Sequence, residues 1–172
     1  MKKGFTMIEL IFVIVILGIL ASVAVPRLAG TKADAEESAA VANLRTLVSD
    51  LNTYYVAKGG FEVGTDATAA ITTTWSQITN VPVNDPTKKL GENTILKVGG
   101  VNCIDFLVVK ETNAAPAHIV FAKATAGASN PVCQQVVTSS SLDPYFKSRV
   151  EGITVDTAKG YVAIGSNTKI VR

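Results

Sequence analysis

The stretch from Phe5 to Val25 is 21 residues long and apolar apart from Thr6, Glu9, Gly18 and Ser22. A helix needs about 20 such residues to cross the hydrocarbon core of a bilayer. Whatever else the chain builds, this segment has to sit in lipid or against other apolar helices. Lys2 and Lys3 precede it and Arg27 follows. By the positive-inside rule the N-terminus stays cytoplasmic and everything after Pro26 lies outside. A carboxylate at the bilayer centre costs about 2.5–3.5 kcal/mol on insertion scales and less near an end, so Glu9 marks a function rather than filler. A secretory signal peptide is the alternative, with Ser22-Val23-Ala24 as its cleavage site ahead of Val25. The apolar run is longer than the usual h-region of about 7–15 residues, however, and a signal peptide has no use for Glu9.

The charge balance removes one class of partner. Net charge is +2, from 16 Lys and Arg against 14 Asp and Glu. Lys2 and Lys3 supply the whole excess, because 16 less those two leaves 14 against 14. A neutral remainder gives no electrostatic case for bulk nucleic-acid binding. The two cysteines, Cys103 and Cys133, lie far outside the apolar run, and an even count in an exported chain points to one disulfide. Closing a loop of about 30 residues is worth roughly 3–4 kcal/mol in the chain-entropy model.

Catalytic constellations are missing from the pattern. The chain has one histidine, His118, set in an apolar strand-like run where a structural role outweighs a general base. There is no Gly-x-Ser-x-Gly, no glycine-rich phosphate loop and no His-Glu-x-x-His. No enzyme, cofactor or metal is expected. Asp66, Asp85 and Glu92 lack EF-hand spacing, which leaves calcium a minor alternative. Glu36-Glu37 and Lys88-Lys89 are expected on solvated faces, and Trp75 and Tyr145 in the core.

After Pro26 the apolar residues narrow to a helical stripe that includes Ala39, Leu44, Leu47 and Leu51, and Lys58-Gly59-Gly60 supplies a stop. A helix of about 50 residues would be some 75–80 Å long. Cys103 to Val109 and Ala117 to Ala122 predict a hairpin turning at Asn113 to Pro116. Val132 to Val137 and Gly160 to Ile164 are further strand candidates. Leu142 to Val150 predicts a short helix starting near Ser141 or Asp143, and Ala69 to Thr79 a loop or short helix. The fold class expected is α+β, an antiparallel sheet on the second half of a long N-terminal helix. The divisions expected are 1–4, 5–26, 27–60 and a globular 61–172.

The opening Lys2-Lys3-Gly4-Phe5-Thr6-Met7-Ile8-Glu9-Leu10, followed by the apolar run and Pro26, resembles the class III leader of type IV pilins and type II secretion pseudopilins. The resemblance implies that a membrane-embedded prepilin peptidase cuts after Gly4 and that Phe5 becomes an N-methylated terminus. It implies assembly roles for Glu9 and Thr6 and a bend at Pro26. Implied partners are membrane lipid before assembly, an inner-membrane assembly platform, and copies of the same chain in a helical filament, periplasmic or extracellular. The chemistry fits, since glycine resists helix and leaves the backbone open to a peptidase. The amine freed at Phe5 can meet Glu9 of a neighbour in low dielectric, where an unpaired charge would be penalised. Type IV pilins often carry a disulfide and major pseudopilins usually lack one, which tilts the expectation toward a pilus subunit over a secretion pseudopilin. A signal-peptide-exported periplasmic binding protein is the reading of another class.

Overall fold

The computed structural model describes residues 5–62, 70–112, 115–150, 153, 156, 158–165 and 170–171. The chain divides into two compact units, Met1–Ala35 and Glu36–Arg172, and the first helix, α1 (Met7–Lys58), contributes to both. Gly59 ends it at φ 73°, and the Gly60 amide reaches back to the Tyr55 carbonyl at 3.0 Å. That left-handed residue followed by a reaching-back amide closes a helix as the Lys58-Gly59-Gly60 stop predicted. Pro26 lies inside α1, and the Ser22 carbonyl thereby loses the amide that would ordinarily bond it.

In the first unit the apolar side chains face outward, with Phe12 67% and Leu20 61% exposed. In the second, Ala40, Val41, Leu44, Leu47 and Leu51 are buried and share one core with Leu96, Ile104, Phe106, Val108, Ile119 and Phe121. The stripe is therefore rotated from expectation at one point: Ala39 is exposed and Ala40 takes the inward position.

The remaining elements in chain order are β1 (Thr94–Val98), β2 (Val101–Val109), β3 (His118–Lys123), α2 (Pro131–Thr138), α3 (Asp143–Phe146), β4 (Arg149–Val150), β5 (Lys159–Ala163) and β6 (Ile170–Val171). Four strands form an antiparallel sheet in the order β1-β2-β3-β5, and β4 pairs with β6. The two expected hairpin strands pair, with Phe106 opposite Phe121 and Val109 opposite His118, while Asn113 and Ala114 of the expected turn lie outside the described residues. Trp75 is fully buried and packs edge-on against Phe106 at 4.9 Å, and Tyr145 likewise against Phe121 at 5.5 Å. Trp75–Gln77 forms a short 3-10 turn within the expected loop or helix.

Three expectations change. The segment Val132 to Val137 is helical, not extended, because Asn130 caps it: its side chain accepts from the Val132 and Cys133 amides at 2.9 and 3.4 Å, and Pro131 occupies the first turn. The segment Leu142 to Val150 is helical only as far as Phe146, after which Arg149 and Val150 are extended. Strand β1 was not anticipated at all. It turns into β2 through Gly99 and Gly100, both at positive φ, which is the geometry of a two-residue hairpin.

Both outer strands of the sheet are occupied. Asn84 donates its amide to Ile95 at 2.9 Å and accepts the Ile95 amide on its side chain at 2.8 Å. On the far side the Tyr161 amide bonds the Ser148 carbonyl at 3.0 Å, and the Arg149 guanidinium donates to the Lys159 carbonyl at 3.0 Å.

Candidate functional site

Thr6 stands just before the first helical residue, Met7, which makes Glu9 the third residue of α1. The Glu9 amide donates to the Thr6 hydroxyl at 3.4 Å. The Thr6 amide and hydroxyl each donate to Glu9 Oε2 at 2.7 Å. This is a capping box, in which two amides of the open helix end are satisfied reciprocally. A negative charge in the first turn also opposes the positive end of the helix dipole. The signal is present in the sequence as Thr6-x-x-Glu9, beside the cost of Glu9 in a membrane and its implied assembly role. Both of these bonds to the Glu9 carboxylate fall on Oε2, at an exposed helix start. Phe5, next to the capping pair, is 94% exposed. Gly4 lies outside the described residues.

The second feature is covalent. Cys103 and Cys133 are bridged, with Cα atoms 5.2 Å apart and a sequence separation of 30, and both are buried. The bridge ties β2 to α2. Mass spectrometry of the unreduced protein is expected to show the bridged mass. Replacing both cysteines by alanine should lower unfolding stability by roughly 3–4 kcal/mol.

The remaining charged candidates are structural. His118 is buried, and its Nδ1 lies 2.8 Å from the Pro116 carbonyl. Asp85 accepts from the Thr87 amide and hydroxyl at 3.0 and 2.6 Å, which holds its carboxyl below the usual range. Glu92 accepts from the Lys89 amide at 3.2 Å. Among the described residues no cluster suited to a metal ion forms, and Asp66 lies outside them. Glu36 and Glu37 are half-buried rather than solvated. Glu37 takes a hydrogen bond from the Ser139 hydroxyl, and the Ser139 and Ser141 hydroxyls lower its pKa. Lys88 spans to the Asn93 carbonyl at 2.8 Å and is half-buried too.

By length and composition α1 carries a stretch apolar enough to cross a membrane, and that stretch is unburied. A family model described as the prokaryotic N-terminal methylation motif matches residues 1–25. Residues 1–25 are thus similar to the N-terminal segment of type IV pilins and pseudopilins. The matched residues span the basic leader, the capping pair and the whole apolar run. Among curated proteins the chain is 47% identical over 53 residues to type II secretion system core protein G of Dickeya chrysanthemi, covering 31% of this chain and 35% of the relative. The corresponding protein of Escherichia coli K12 is 43% identical over 53 residues, with 31% and 37% covered. That of Vibrio cholerae is 45% identical, with 31% and 36% covered. The match thus spans about a third of the curated relatives' length. No solved structure matches the chain.

Proposed function

We infer that this chain is a membrane-anchored filament subunit, and that its machine is a type II secretion system rather than a pilus. A capped, apolar and outward-facing helix start behind a Gly4-Phe5 junction carries the filament half of that inference. The secretion half is supported by the 43–47% identities to core protein G. They outweigh the disulfide, which had favoured a pilus. A pilus subunit of the same build is the second reading.

In the proposed sequence of events the chain inserts with its N-terminus cytoplasmic. Prepilin peptidase cuts after Gly4, which strips both leader lysines and leaves an amine on Phe5 that is then methylated. Glu9 Oε1 receives the Phe5 amine of a neighbouring subunit while Oε2 keeps its own helix end capped. The assembly platform adds subunits one at a time, and lipid is exchanged for helix–helix contact around the apolar run. The role is structural; no step in it needs a catalytic group from this chain.

Mass spectrometry of the mature N-terminal peptide from host membranes tests the first half. Methylated Phe5 is the expected terminus, and a chain beginning at Val25 would place it instead with signal-peptide-exported proteins. The choice of machine is tested in a deletion strain. Loss of exoprotein release with surface pili intact is expected, and the reverse pattern would move the chain to the pilus.

A further inference from the structure

Asp105 sits in the middle of β2, and among the described residues its Oδ1 is shut off from solvent with no hydrogen-bond partner. A charge on this carboxylate therefore has to be met from the side of Oδ2. Asp105 lines a cleft of about 720 Å³ together with residues of β3, α2 and α3. The cleft exists because the cross-strand neighbour of Asp105 is Ala122, with Ala158 beside it, and neither side chain is long enough to fill the space. A carboxylate held this way is costly unless a strong donor reaches it.

Three lysines border the same cleft, and two are already committed. Lys147 pairs with Asp143 at 2.6 Å and Lys159 with Asp156 at 3.1 Å. The third, Lys123, is exposed and lies opposite Ile104 rather than Asp105 in the strand register. The rest of the wall is half-buried Phe146 and Val137 with Thr125 and Thr138. An acceptor at the base, two apolar side chains on the wall and two lysines already paired suit a cation with a flat or slender apolar body.

We propose that this cleft binds a guanidinium or alkylammonium group, with Asp105 as its counter-ion and Phe146 and Val137 along its flank. The group belongs either to a small free amine or to an arginine or lysine side chain of a partner polypeptide. The site is independent of the filament role, because every residue that builds it lies in the second unit.

Full-length protein in detergent micelles, labelled with 15N, is titrated with methylguanidinium in one arm and with an acetylated Gly-Arg-Gly amide in the other. Saturable shifts of the Asp105, Ala122 and Val137 amides are expected, with a Kd of about 1–10 mM for the small cation. Asp105→Asn removes the charge and Ala122→Leu fills the space; each should weaken binding about tenfold or more. Binding by the peptide about tenfold tighter than by methylguanidinium identifies a polypeptide side chain as the guest, and equal binding identifies a free amine. Absence of saturable shifts in both arms overturns the proposal, as does binding that survives both substitutions.

Discussion

Replacing Glu9 with glutamine is expected to abolish filament assembly while leaving membrane insertion and cleavage after Gly4 intact. Glutamine serves as well as glutamate in the third position of a capping box, so the reciprocal bonds between Thr6 and residue 9 persist and α1 starts where it does now. What disappears is the charge proposed to receive the neighbour's Phe5 amine. Breaking one half of a desolvated ion pair costs about 3–5 kcal/mol, which is over 100-fold in a subunit addition constant at about 1.4 kcal/mol per decade. Sheared filaments should fall below detection on an immunoblot, with processed subunit retained in membranes. Glu9→Ala removes cap and charge together and should behave no worse in assembly. If the glutamine variant assembles normally, Glu9 serves the helix end alone.

The second large effect lies in the other unit. A Cβ on Gly160 would overlap the Tyr145 carbonyl and stand 2.6 Å from the Phe146 Cα. Neither neighbour can step aside, since both are backbone atoms of α3, and α3 is fixed by the Tyr145 ring against Phe121. Gly160→Ala must therefore push α3 off β5 or pull β5 out of register with β3. A cost of about 3–5 kcal/mol in urea unfolding is expected, at the high end for overpacking. Gly91→Ala is the control. Its added carbon would meet only the Val108 carbonyl at 3.9 Å, an ordinary contact, and stability should move by less than about 1 kcal/mol. Equal losses in the two variants would show that close approach at Gly160 is not what limits the site.

Much of this architecture was legible in the residues. The long helix follows from an apolar run that passes into a 3–4 residue stripe without a stop before Lys58-Gly59-Gly60. The hairpin of β2 and β3 follows from two alternating runs around a turn. What escaped notice had local signals that were outweighed by apolar content. Val132 to Val137 is too short for periodicity to separate strand from helix, and the decisive residues were Asn130 and Pro131 just ahead of it. Strand β1 had a signal in Gly99-Gly100, since a glycine pair between alternating runs marks a hairpin. The half-burial of Glu37 was beyond sequence reasoning, because its partner Ser139 is 102 residues away. Of the candidate assembly residues, Glu9 stood out through its cost in a membrane. Its bond to Thr6 needed only the three-residue spacing.

The occupied outer strands of the sheet carry a consequence for how such a subunit tolerates change. Among the described residues, Asn84 lies along one flank of the four-stranded sheet and Ser148 and Arg149 along the other, which hinders extension of that sheet by another chain. A filament of such subunits would then draw its register from the apolar helix and not from strand addition at this sheet. The surface of the globular unit is left free to diverge without jamming the polymer, so one helical connector can carry many different payloads. A family model that stops at residue 25 of 172 is the pattern such a division of labour would leave.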